Sequence, residues 1–360
     1  MTTTRQVAAC DPPDAEIATR ARERHRELTK PAGSLGRLEE LGIWAASVQG
    51  HCPPTPFSSA RLVVFAGDHG VSRTAGTSAY PAEVTAQMVR TILAGGAAAS
   101  VLARAHHVAV QVIDVAVDAD PSYAADLGSN VTAQRIRRGS GSIDREDALT
   151  AEQAQSAFDV GVAAADSAVD SGCDLLIAGD LGIGNTTAAA AIIGLLTRND
   201  ASLVTGRGTG IDDATWMRKC TAVREAMRRA RPARFEPMRV LAIAGGADLA
   251  AIAGFLGQAA RRRTPVILDG TVITAAACIA DILDQGAKAW WLAGHRSTEP
   301  AHDLALTRLD LTPVVDFQMR LGEGTGALIA FGVVQDSIAV LEQMSTFAEA
   351  GVSQADASAT

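Results

Sequence analysis

Glu323 stands alone between two glycines, in the run Arg320-Leu321-Gly322-Glu323-Gly324-Thr325-Gly326. Glycine on both sides opens backbone conformations closed to other residues and lets a second molecule come close. An acid on such a turn contributes little to packing and is well placed to take a proton. It also has a plainer use. A helix-like apolar run follows from Ala327 to Leu341, and a carboxylate ahead of a helix offsets the helix dipole. The heptapeptide by itself favours the plainer use, so the choice rests on the neighbours that the fold supplies.

Gly179-Asp180-Leu181-Gly182-Ile183-Gly184-Asn185-Thr186-Thr187 is the strongest anion-binding stretch. It follows an apolar run and opens a helical one, so its N–H groups and the helix dipole face whatever sits at the strand end. It lacks the Lys of a Walker A loop and departs from the dinucleotide fingerprint. As a mere strand–helix turn, with Asn185 and Thr186 as caps, it would need fewer than three glycines, which favours phosphate. Gly206-Arg207-Gly208-Thr209-Gly210 repeats the theme ahead of Asp212 and Asp213, either of which would cap the next helix. Lys219 in that helix is a solvated charge if taken alone, and a phosphate cation if the loops converge.

Other residues invite weaker readings. Gly67-Asp68-His69-Gly70 looks like a fragment of a metallophosphatase site, with His295, Glu299 and His302 as further ligands and Arg296 as an anion contact. No HxH or HExxH spacing supports a metal, so Asp68 and His69 are expected to order a loop or line a pocket. Tyr80, Gln87 and Met88 in Ser78-Ala-Tyr-Pro-Ala-Glu-Val-Thr-Ala-Gln-Met88 could build a flat pocket for an aromatic ligand on a helix opened by Pro81, or simply be core. Lys30 and Arg37 read as surface charges, and Ser34 as the cap of a helix from Leu35.

The elements that must position these residues alternate. Apolar runs of strand length at 61–66, 107–113, 174–178, 240–244, 265–268 and 289–293 mostly end in Gly-plus-polar loops. Helical runs at about 82–104, 151–171, 186–198, 212–230, 247–262 and 271–284 separate most of them. Strands without polar alternation are buried on both faces, as in parallel sheets. The repeat predicts an α/β fold, a doubly wound, Rossmann-like parallel sheet with helices on both faces. In such sheets ligands bind outside the carboxyl ends of the strands, where nearly every singled-out loop falls. Pro313–Phe317 reads as a further short extended stretch, Ala15–Leu28 as a helix, and the tail beyond about 347 as frayed.

Composition narrows the function classes. The chain has 360 residues, 48% of them apolar, enough for a large core. A net charge of −8 argues against a broad nucleic-acid surface. Five scattered cysteines without a CxxC pair indicate neither a zinc ribbon nor a disulfide framework; Cys173 and Cys278 read as core. No apolar signal core or uninterrupted membrane-length run is evident, so a cytoplasmic protein without a membrane partner is expected. Three functional classes remain: a group-transfer enzyme, a metal-dependent phosphohydrolase, and a nucleotide-binding module without turnover.

Several segments together resemble one family. Lys30-Pro-Ala-Gly-Ser-Leu-Gly-Arg-Leu-Glu39, Phe65–Val71, Ser78–Met88, Gly182-Ile-Gly-Asn-Thr-Thr187, Gly206–Gly210, Leu268-Asp-Gly270, Gly294–His302 and Leu321–Gly326 occur in the order seen in the nicotinate-nucleotide:dimethylbenzimidazole phosphoribosyltransferases of cobalamin synthesis. The resemblance implies transfer of phosphoribose from nicotinate mononucleotide to 5,6-dimethylbenzimidazole, without metal or organic cofactor, by a homodimer acting on small molecules. It implies Glu323 as general base, a phosphate clamp from Gly182, Ile183, Gly184, Asn185, Thr186, Gly208 and Lys219, and a base pocket from Ser78, Tyr80, Gln87, Met88 and Leu321. Asp180 stands where the family often carries Glu, one methylene longer, and is expected to share in catalysis. The implied domains are a catalytic α/β domain over 56–330 and a small helical domain from 1–55 and 331–360.

Overall fold

The computed structural model describes residues 9–127 and 130–353. Five strands form one sheet: β1 (Ala60–Gly67), β2 (Ala109–Ala116), β3 (Leu175–Leu181), β4 (Val266–Leu268) and β5 (Trp291–Ala293). Every pairing is parallel, and the order is β2-β1-β3-β4-β5. This is one of the two common doubly wound orders, in which the winding reverses between β1 and β3. The register aligns Val112, Val64 and Gly179 in one row, and Leu62, Ile177, Ile267 and Leu292 in another.

Opposite faces of β1 meet different elements. Phe65 packs edge-on against Phe255 of the Ala247–Arg261 helix, with ring centroids 5.5 Å apart. Leu62, of opposite parity, lies against Gly324 at the start of the Thr325–Gln343 helix. Helices therefore cover both faces, as expected. The Ala151–Asp170 helix starts with a Thr150–Gln153 capping box and crosses the Ala247–Arg261 helix at very short range. A Cβ on Gly161 would sit 1.7 Å from the Ala251 carbonyl oxygen, and one on Gly254 would sit 2.1 Å from that of Phe158. Only glycine permits that backbone contact.

Three expectations need correction. Residues 240–244 are not a strand but the end of a Pro237–Ala244 helix. All five residues are buried, and a short run buried all round has no periodicity that separates helix from strand. The helix expected at 82–104 is two helices, Glu83–Leu93 and Ala98–Ala105, broken where Gly95 turns left-handed (φ 81°). Ser34 caps nothing: the helix begins at Arg37, and its N-cap is Gly36. By contrast, Asp212 caps the Asp213–Ala230 helix through Thr215 N at 2.8 Å. Segment 313–317 runs beside β5, with Val314 N and Val315 N donating to Ala293 and Gly294. Cys173 and Cys278 are buried.

The chain divides into two compact units, one of residues 9–11 with Ser59–Ala330, the other of Pro12–Ser58 with 331–353. In the second unit Ile17, Ala21, Leu28, Ala46 and Leu341 make an apolar cluster. Arg24 Nε donates to the Leu341 carbonyl at 2.7 Å, satisfying an end-of-helix acceptor. Lys30 is a buried partner of Glu39 at 2.6 Å rather than a surface charge. The tail is ordered as far as a short Phe347–Ala350 helix with its own capping box; residues 354–360 and 1–8 lie outside the described residues.

Two stretches, Glu83–Ala105 and Thr325–Gln343, are apolar and long enough by composition to cross a membrane. The first is the broken helix pair. The second buries Phe331, Val334, Ile338 and Leu341, as a core helix does.

Gly161→Ala is expected to destabilise the protein by about 1–3 kcal/mol, because the added methyl meets backbone that cannot give way. A urea denaturation midpoint unchanged from wild type would contradict the close crossing.

Candidate active site

The loops at the carboxyl ends of β1 and β3 are fastened together at the winding reversal. His69 N donates to the Ile183 carbonyl at 3.0 Å, and Ile183 N donates to Asp68 Oδ1 at 3.1 Å. A Cβ on Gly182 would lie 1.8 Å from the Gly67 carbonyl oxygen, so the two backbones touch. Asp68 also accepts from Thr85 Oγ1 and Asp118 N, while His69 Nε2 meets Asp248 Oδ2 at 2.9 Å. Burial opposes a charge on His69, but the carboxylates of Asp248, Asp68 and Asp180 together outweigh it and leave the imidazole more basic than usual. Asp68 and His69 thus order the loops.

Beside this seam opens a cavity of about 750 Å³. Asp180 and the Gly182–Thr186 backbone form one wall. Ser78, Tyr80, Met88 and Leu321 line the same cavity, and Gly208 and Glu323 complete it. Tyr80 and Leu321 are both more than half exposed. Of the residues expected at the site, Gln87 is not brought in: it is exposed on the Glu83–Leu93 helix and does not line the cavity. Lys219 is also absent from the lining. It is buried behind it, with Nζ donating to Thr186 Oγ1 at 2.9 Å and lying 3.2 Å from where a Gly208 Cβ would be.

Glu299, which the sequence suggests only as a metal ligand, supports this loop. Its Oε1 accepts from Gly208 N at 2.8 Å. Burial pushes the Lys219 ammonium below its ordinary range, and the Glu299 charge partly restores it. Arg320 donates to the Gly208 carbonyl, and Thr209 Oγ1 accepts from Ala79 N at 3.0 Å, tying the second glycine loop to the Ser78–Tyr80 segment.

Gly322, Glu323 and Gly324 are consecutive left-handed residues, with φ of 85°, 61° and 84°. For Glu323 this is an uncommon conformation, and its flanking glycines carry the rest of the turn. Glu323 N donates to the Asp180 carbonyl at 3.1 Å. The side chain is buried, and Oε2 has no hydrogen-bond partner among the described residues. Asp269, at the end of β4, accepts from Gly324 N (3.1 Å), Gly326 N (2.8 Å) and Ala327 N (3.1 Å). The helix dipole at 325 is therefore served by Asp269, and Glu323 is left for other work.

Two cavity acids are raised in proton affinity. Burial raises Glu323, with Asp269 adding to it. Burial raises Asp180 well above the carboxylate range, reinforced by Asp269, Asp248 and Glu323, against an Asn185 Nδ2 hydrogen bond of 2.6 Å. Both acids therefore hold their protons more strongly than exposed carboxylates do.

His295, His302, Asp68 and His69 do not form one cluster. His302 Nδ1 accepts from Ser297 N at 2.9 Å, and burial and His295 push this imidazole down to about 3. Among the described residues, no group of three or more His, Cys, Asp or Glu is placed to hold a metal ion.

A family model described as a phosphoribosyltransferase matches residues 10–352, and the chain belongs to that family. The fold is that of a phosphoribosyltransferase. A Mycobacterium avium protein named nicotinate-nucleotide–dimethylbenzimidazole phosphoribosyltransferase is 56% identical over 352 residues, covering 98% of this chain and 99% of that protein. A Mycobacterium tuberculosis protein of the same name is 57% identical over 341 residues, covering 95% and 93%. The crystal structure of CobT from Thermus thermophilus superposes with a TM-score of 0.88 at 41% identity, covering 94% of this chain and all of that one. The resemblance read from the motifs is borne out.

Because Glu323 is raised, a reaction that needs it ionised loses rate on acidification at a higher pH than an ordinary exposed glutamate would set. A turnover–pH profile whose acid limb lies in the usual carboxylate range would contradict this. Removing the Lys219 ammonium takes away a charge-assisted contact, so Lys219→Ala should raise KM for a phosphorylated substrate by about 10- to 100-fold; an unchanged KM removes it from phosphate binding.

Proposed function

We propose that this protein transfers the 5-phosphoribosyl group of nicotinate mononucleotide to 5,6-dimethylbenzimidazole, giving α-ribazole 5′-phosphate and nicotinate. The relatives' shared name supports the substrates. The observation that carries the mechanism is the buried, unpartnered Oε2 of Glu323 in the cavity wall.

A benzimidazole ring nitrogen attacks C1′ of the ribose as the bond from C1′ to the pyridinium nitrogen breaks. The bonding pair stays with that nitrogen, which neutralises its charge, so nicotinate leaves without being protonated. The nucleophile must shed the proton of its other ring nitrogen, and ionised Glu323 takes it. Asp180, still protonated, acts as a hydrogen-bond donor rather than a second base. The Gly182–Thr186 backbone, Gly208 and Lys219 hold the phosphate. Ser78, Tyr80, Met88 and Leu321 hold the flat base, with Gln87 reaching it only if its side chain turns inward.

The wider reading is a cytoplasmic homodimer acting on small molecules, with no cofactor and no nucleic-acid or membrane partner. Its catalytic domain spans roughly 56–330 and its small helical domain comes from both chain ends.

Purified protein incubated with nicotinate mononucleotide and dimethylbenzimidazole should release nicotinate; no release with this base overturns the substrate assignment. Glu323→Gln should still bind nicotinate mononucleotide and lose about 10²- to 10⁴-fold in turnover, whereas Asp180→Asn, neutral like the acid it replaces, should lose less. Wild-type rates in Glu323→Gln would sink the general-base role.

A further inference from the structure

We propose that Asp269 is the positioning residue of this reaction: its carboxylate holds the turn that presents Glu323, and its charge tunes Glu323 as a base. The proposal rests on the reading of Glu323 as the general base.

The geometry carries the first half. Asp269 is fully buried at the end of β4. Its two oxygens take the amides one, three and four residues beyond Glu323: Oδ2 accepts from Gly324 N, and Oδ1 from Gly326 N and Ala327 N. Three successive left-handed residues are not a conformation that the chain holds unaided. On the near side the turn has one bond to the sheet, from Glu323 N to the Asp180 carbonyl. Beyond it, Asp269 is the side chain that fixes the turn to the rigid sheet. An ordinary cap accepts from the first helical amides alone; Asp269 also takes the amide of Gly324 inside the turn, and so spans turn and helix start together.

The charges around Glu323 carry the second half. Asp180 interacts with it from β3 and Asp269 from β4; His295, after β5, lies beside Asp269, with Nε2 3.5 Å from Asp269 Oδ1. After burial, the charge that raises Glu323 is that of Asp269. Like charge makes a carboxylate hold its proton more strongly, which makes it a better base once ionised. A residue that served only as a helix cap would leave this property untouched.

The test is a pH profile of Asp269→Asn together with a double-mutant cycle. Asparagine keeps an acceptor for Gly326 and Ala327 but removes the charge and turns an N–H toward Gly324. The acid limb of turnover should move to lower pH. Plateau turnover should fall about 10²-fold, the loss expected when a catalytic group is misplaced by roughly 1 Å, with KM for nicotinate mononucleotide unchanged. In a Glu323→Gln background the same substitution should cost nothing further, since its effect passes through Glu323. An unmoved acid limb, or losses that multiply in the double variant, overturns the proposal. If Asp269→Asn does not fold, Asp269→Glu is read on turnover and KM: lowered turnover at constant KM upholds the proposal, and wild-type turnover overturns it. The wild-type arm reports separately on the reaction itself, because absence of nicotinate release there refutes the function and not the role of Asp269.

Discussion

The contact between one buried carboxylate and three backbone amides organises this site. Asp269 lies at the end of a short strand between β3 and the edge strand β5, and the amides belong to a turn almost sixty residues later in the chain. The turn is unfavourable by itself, since a glutamate with positive φ sits between two left-handed glycines. Held by Asp269, it places an acid against the carboxyl edge of the sheet with one oxygen unpartnered. The cost of burying that oxygen is what makes the acid useful.

The rest of the cavity follows the same logic of buried polar groups satisfied from below. Glu299 takes the Gly208 amide, and Lys219 reaches Thr186 from behind the cavity wall. Asp68 ties three segments to the end of β1. Each of these side chains is buried and hydrogen-bonded to the loops above, so the glycine backbones are supported from below. Fixed donors are worth more than mobile ones, because no reorganisation is needed when a charged group arrives or develops.

Much of the fold is legible in the residues. Five of the six apolar runs are strands, because a strand buried on both faces has no polar positions to disguise it. The sixth, 240–244, is a helix for the same reason: burial all round erases the period that would tell the two apart. Gly95-Gly96 breaks a helix that periodicity alone would continue. At the site, the glycine loops, Glu323, Asp180, Tyr80, Met88 and Leu321 do share one cavity. Asp269 carries the same signal as Asp68 and Asp180: each is a strand-end acid that binds backbone of another loop or faces the cavity. Glu299 had none, since an acid before Pro300 looks like any other helix start.

The sequence by itself determined the parallel α/β architecture, the placing of chemistry at the strand ends and, through an ordered set of motifs, the family. These depend on local pattern and on the identity of residues near one another in the chain. Only the tertiary structure decided that Glu323 and Asp180 are both buried acids raised in proton affinity, that Lys219 lies behind the wall on Thr186, and that Gln87 is exposed off the cavity. Proton affinity and orientation are set by burial and by charges distant in sequence, and a linear pattern carries neither.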